Sequence, residues 1–139
     1  MIKRILSAQE YLVQAALNGM LALKIIEKKK PDLILLDIMM PEMDGYEVCK
    51  HLKANLETAG IPIIFVTVKV ETEDIIKGFE AGAVDYVTKP FNPSELLARV
   101  NTHLQLRHAL LEIEKQKVVL EKQNEELIEA AKLREDIDE

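Results

Sequence analysis

Apolar positions follow two different rules along this 139-residue chain. Before Ser94 they cluster in short continuous runs: residues 33–36 stop at Asp37, residues 61–66 stop at Thr67, and Tyr86-Val87-Thr88 stops at Lys89. Runs of Ile, Val and Leu without polar alternation predict strands covered on both faces, as in a parallel sheet between helix layers. Ligands of such sheets sit beyond the carboxyl ends of the strands. Three parallel neighbours of this kind bring a carboxylate, a hydroxyl and an ammonium onto one rim.

Between the strands the pattern turns helical. Residues 3–10 read as the end of a helix, residues 11–16 as a strand, and Asn18-Gly19 as a turn. Leu21, Leu23, Ile25 and Ile26 predict a helix that closes on Lys28-Lys29-Lys30 before Pro31. Lysines in a last turn complement the negative end of the helix dipole, so that run is read as solvated charge rather than a binding patch. Asp44 and Glu47 form a capping-box pattern for a helix through Leu52. A further helix is predicted from Thr72, turning Ile75, Ile76 and Phe79 inward and stopping at Gly82. Strand and helix alternate, which predicts an α/β fold, a doubly wound parallel sheet with crossover helices.

The second rule begins after Asn92-Pro93-Ser94-Glu95, a capping residue followed by proline at the first helical position. No glycine or proline follows through Glu139, so one long helix is expected. Within it Leu106, Leu110, Ile113, Leu120 and Leu127 take alternating four- and three-residue steps, with Lys117, Asn124 and Ala131 in the remaining seam positions. These are the a and d positions of a coiled coil, and a polar Asn124 at a favours a parallel two-stranded register. Leu133 and Ile137 leave the frame, which predicts a shifted or frayed seam there. The expected domains are therefore 1–106, a globular α/β unit, and 107–139, a coiled-coil helical extension continuous with its last helix.

Composition narrows the function. Eighteen basic against 24 acidic residues give a formal net charge of -6, which does not favour broad binding to nucleic acid or to an anionic membrane. No apolar run approaches the roughly 20 residues of a membrane span, and the N-terminus lacks a signal-peptide core, so a cytoplasmic location is expected. Cys49 reads as helix packing, and His51, His103 and His108 as solvated helix positions whose spacing offers no metal set.

Three segments, Asp-Ile-Met-Met-Pro-Glu-Met-Asp-Gly from Asp37 to Gly45, Phe-Val-Thr ending at Thr67, and Gly-Ala-Val-Asp-Tyr-Val-Thr-Lys-Pro-Phe from Gly82 to Phe91, resemble in this order the receiver domain of bacterial response regulators. The resemblance implies a flavodoxin-like fold and a phosphoacceptor module of a two-component phosphorelay, not an enzyme. It implies Asp37 as the aspartate that takes the phosphoryl group from a histidine kinase, Lys89 and Thr67 as partners of the phosphoryl oxygens, and Tyr86 as the aromatic switch. It further implies Mg²⁺ held by Asp37 and the Met39 carbonyl, a cis peptide at Lys89-Pro90, and a tight return at Gly45. The tail resembles the signalling helix that joins receivers to a following output domain.

The chain departs from the receiver pattern in two places. Met1 to Leu6 already resembles the late part of the first helix, so the first strand and its pair of acidic residues are expected to be missing. Mg²⁺ prefers a near-octahedral oxygen shell, and without those carboxylates weak metal binding and impaired phosphorylation are expected. Val68 stands where the family has a small residue, which predicts narrower access for small phosphodonors. Two readings follow: a receiver signalling through a parallel dimeric coiled coil, or a phosphorylation-independent dimerisation module on a degenerate receiver scaffold. A haloacid-dehalogenase-like phosphohydrolase is disfavoured, since Met39 stands where a second aspartate would be needed.

Overall fold

The computed structural model describes residues 1–138, with side chains described through residue 135. The chain divides into two compact units, Met1–Arg107 and a second that starts at His108.

Three strands build the first unit: β1 (Ile34–Leu36), β2 (Ile63–Thr67) and β3 (Asp85–Thr88). They form a parallel sheet in the order β1-β2-β3. Every residue of β2 is buried, as its uninterrupted apolar sequence predicts for a central strand. Successive side chains of a strand point to opposite faces, and two cores result. Leu36, Ile63 and Phe65 pack with Ile26 of α2 (Gly19–Lys28), with Val48, Cys49 and Leu52 of α3 (Gly45–Ala54), and with Ala81 of α4 (Thr72–Ala81). On the other face Ile64, Val66 and Val87 pack with Leu6 of α1 (Ile2–Ser7) and with Leu96 and Val100 of α5 (Pro93–Asp138). Helices on both faces of a parallel sheet are the doubly wound architecture read from the sequence.

Several local expectations are met by identifiable bonds. Asp44 caps α3 by accepting from the Glu47 N–H at 2.9 Å. Asn92 accepts from the Ser94 N–H at 2.8 Å and starts α5. Gly82, at φ 115°, ends α4 in the left-handed conformation that suits glycine. Cys49 is fully buried and unpaired among the described residues.

Others are corrected. Residues 11–16 form no strand: the Tyr11 N–H goes back to the Leu6 carbonyl, and Leu12 stands in solvent at 98% exposure. A strand needs a neighbour for its ladder, and β1 is hydrogen-bonded on its β2 side alone. Asn18-Gly19 is not a free turn: Asn18 is the N-cap of α2 and accepts from the Leu21 N–H at 2.8 Å. In α4, Ile76 and Phe79 are exposed instead of inward. The helix approaches the sheet through Gly78, where a Cβ would lie 3.1 Å from the Phe65 ring, so its small-residue side faces β2. His103 is also misread as solvated, for reasons given below.

The seam residues Leu106, in the first unit, and Leu110, Ile113, Leu120 and Leu127, in the second, are all exposed. Leu133 is exposed as well, while Ile137 and the expected helix end at Glu139 lie outside the described side chains.

Candidate functional site

Strand register decides what meets on the rim. Leu36 stands opposite Phe65, and Thr67 opposite Thr88, so Asp37, Thr67 and Lys89 emerge together at the carboxyl ends of β1, β2 and β3. Asp37 and Lys89 are in direct contact: the Lys89 Nζ donates to the Asp37 Oδ2 at 2.6 Å across 52 residues of sequence. Both side chains are about one third exposed, so the pair is reachable from solvent. The other carboxylate oxygen, Oδ1, accepts from the Met39 N–H at 3.0 Å, which fixes the carboxylate plane.

Thr67 is buried, and its hydroxyl accepts from the Lys69 N–H at 3.1 Å, not from any group of the Asp37 pair. Its carbonyl accepts from the Lys89 N–H at 2.9 Å, tying the two strand ends together. The Lys89-Pro90 peptide is cis. Gly45 lies beneath the acceptor loop, where its N–H donates to the Ile38 carbonyl at 2.9 Å and any Cβ would collide with the Asp37 carbonyl oxygen. Position 45, where the loop returning from Asp37 enters α3, is therefore closed to every residue but glycine. Glu42 in the same loop holds a left-handed φ of 67°.

Tyr86 lies outside this contact set. Its ring is half-buried and meets Phe79 edge-on, with centroids 6.2 Å apart. A cavity of about 10 Å³ lined in part by Phe65, Thr67, Gly78 and Tyr86 lies between β2 and α4. Val68, next to Thr67, is exposed.

Among the described residues the rim offers a divalent cation one carboxylate, that of Asp37, and the Met39 backbone beside it. Among the described residues no three His, Cys, Asp or Glu side chains converge. Among the described residues Asp37 is the one carboxylate that reaches Lys89, and both its oxygens are already engaged. Met39 contributes its N–H to this arrangement. Mg²⁺ requires about six oxygens in near-octahedral order.

A neighbouring cluster was not legible as a site. Asp85, at the start of β3, accepts from the Arg99 Nη1 at 2.8 and 2.9 Å, from the Tyr86 N–H at 2.8 Å, and lies 3.1 Å from the His103 Nε2. Burial pushes the Asp85 carboxyl up, but the bonds from Arg99, the Tyr86 N–H and His103 together hold it below the ordinary aspartate value. His103 is thereby a contact of the body and not a solvated position. The available signal was the spacing of Arg99 and His103, one turn apart on the same helix face.

The response regulator receiver domain family matches residues 1–101. A Vibrio cholerae protein named "Probable cyclic di-GMP phosphodiesterase" is 53% identical over 98 residues, covering 70% of this chain and 22% of that protein. The DNA-binding response regulator MtrA of Mycolicibacterium smegmatis is 47% identical over 87 residues, covering 63% of this chain and 37% of MtrA. The chain thus spans well under half the length of these relatives. The receiver domain of the sensor histidine kinase PA1611 from Pseudomonas aeruginosa PAO1, solved with a magnesium ion in its active-site cleft, superposes with a TM-score of 0.70 at 29% identity, covering 75% of this chain and 85% of that one. With the motif, the sheet order and the Asp37–Lys89 contact in place, the chain belongs to the response regulator receiver domain family.

Proposed function

We propose that Asp37 is a phosphoacceptor whose reaction is weak in this chain, and that the module signals through a parallel dimer of its C-terminal helix. The observation that carries the first part is the 2.6 Å contact between the Lys89 Nζ and the Asp37 Oδ2. In the transfer, an Asp37 carboxylate oxygen attacks the phosphorus of a histidine kinase's phosphohistidine. The P–N bond breaks, its electron pair returns to the imidazole nitrogen, and an acyl phosphate is left on Asp37. Lys89 balances the charge gathered on the phosphoryl oxygens, which is the main form of assistance available to phosphoryl transfer. Thr67 supplies a hydroxyl from the adjacent strand once it leaves the Lys69 N–H, and Tyr86 turns into the space beside it. The module has no catalytic turnover of its own, and a cytoplasmic setting suits a kinase donor.

The weakness has a physical source. PA1611 holds magnesium in its cleft, whereas the donor set here contains one carboxylate and the Met39 backbone, too few to hold Mg²⁺ tightly. Exposed Val68 further crowds the approach of a small donor. Domains 1–106 and 107–139 divide the labour between acceptor and dimer seam, and an output domain beyond residue 139 is the natural recipient of the signal.

Five apolar seam residues standing in solvent support the dimer, because paired helices bury such a stripe. They also favour the second reading, a dimerisation module that needs no phosphate. Incubation with acetyl phosphate followed by peptide mass spectrometry separates the two: the first reading expects slow modification confined to Asp37 and lost in Asp37→Asn. Modification at another residue, or none after prolonged exposure, overturns it in favour of the second. Light scattering at tens of micromolar tests the dimer, which a monomeric mass contradicts.

A further inference from the structure

Asp85 joins β3 to two turns of α5 through one carboxylate. Its Oδ1 accepts from the Tyr86 N–H and the Arg99 Nη1, and its Oδ2 from the same Nη1 and from the His103 Nε2. Arg99 and His103 lie on consecutive turns of α5, so a single residue of β3 grips two turns of that helix. The grip is well enclosed, with the Asp85 and His103 side chains each 16% exposed. Arg99 is itself steadied by Glu95, one turn back, at 3.2 Å.

β3 has four residues, and their contacts fall in sequence: Asp85 holds α5, Tyr86 meets Phe79 of α4, and Lys89, directly after the strand, holds Asp37. A strand this short, locked to β2 from Ile64 to Thr67, has little room to absorb a displacement along its length. A shift of Lys89 is therefore felt at the Asp85 carboxylate, and by thermodynamic reciprocity a change in the grip on α5 is felt at Lys89. Asp85 touches none of the reacting groups.

We infer that Asp85 is a positioning residue that couples the Asp37–Lys89 rim to α5, with Arg99 and His103 as its two contacts on the helix. The inference concerns how the rim is tied to the helix and holds whether or not Asp37 is phosphorylated, so its test uses charge removal in place of phosphate. In the full chain, ¹⁵N resonances of the Arg99 Nε and the His103 ring are recorded at fixed pH for the natural sequence and for Asp37→Asn, which breaks the ion pair with Lys89. Both resonances are expected to move in Asp37→Asn, and the movement along α5 is expected to vanish when Asp85→Asn is added. A structural role alone predicts equal α5 changes with and without Asp85. Unmoved Arg99 and His103 resonances in Asp37→Asn, or identical shifts in the double variant, overturn the coupling. Should Asp85→Asn unfold, His103→Gln leaves the Asp85–Arg99 pair in place and is expected to reduce the transmitted shift; an undiminished shift counts against the proposal.

Discussion

The two outer strands of the sheet are finished in opposite ways. At β3 the strand is tied off: Asp85 is bound by Arg99, His103 and the Tyr86 N–H, Tyr86 rests on Phe79, and Lys89 reaches back across the sheet to Asp37. At β1 the ladder simply stops, with hydrogen bonds to β2 on one side, and residues 11–16, which precede α2, join no ladder. The same asymmetry runs through the chemistry of the rim. The side nearer β3 supplies the cation and the hydroxyl, and among the described residues no cluster of three metal-ligating side chains stands on the rim. The cation and the hydroxyl of the rim thus come from β2 and β3, and the Asp37 carboxylate comes from the end of β1.

Substitutions on the two sides are expected to differ sharply. Phe65→Ala removes a fully buried ring that packs edge-on against Tyr46 at 5.7 Å and closely against Gly78. It is expected to cost about 3–5 kcal/mol in urea unfolding, and a loss below about 1 kcal/mol contradicts the central role given to β2.

Asp85→Asn comes next. Its carboxyl is held below the ordinary value of about 3.9, so the charged form contributes stability that is present above that value and fades as pH falls through the lower folded value. With Arg99 40% exposed, solvent discounts the pair, and a loss of about 1–2 kcal/mol at neutral pH is expected. The gap between Asp85→Asn and the natural chain should narrow as the pH drops below about 4. A gap that widens there reverses the assignment.

On the other side, Leu12→Ser changes a side chain that is 98% exposed in a segment without a ladder. Its effect is expected within about 0.5 kcal/mol. A larger loss shows that residues 11–16 enter a packed structure in solution, which erases the contrast between the two edges.

What could be read from the sequence follows the same division. The runs before Asp37, Thr67 and Lys89 announced the strands because burial on both faces leaves an unbroken apolar signature, and the caps Asp44, Gly82 and Asn92 act within a turn of their own position. Residues 11–16 misled because β-forming side chains specify a strand only when a neighbour exists to pair with it. Phe79 and Ile76 misled because apolar spacing gives a helix face but not which face the sheet selects, and Gly78 against Phe65 made that choice. The Asp85 cluster joins residues 14 and 18 positions apart, and its one local signal, Arg99 and His103 a turn apart, marks a shared helix face without naming the partner on β3.

The central claim is that Asp37 and Lys89 are assembled for phosphoryl transfer without a metal shell to match. The most direct measurement is the rate of Asp37 modification by acetyl phosphate, followed by intact mass, at increasing Mg²⁺. A slow, substoichiometric reaction that responds weakly to Mg²⁺ is predicted, and rapid, complete modification that depends on Mg²⁺ contradicts it.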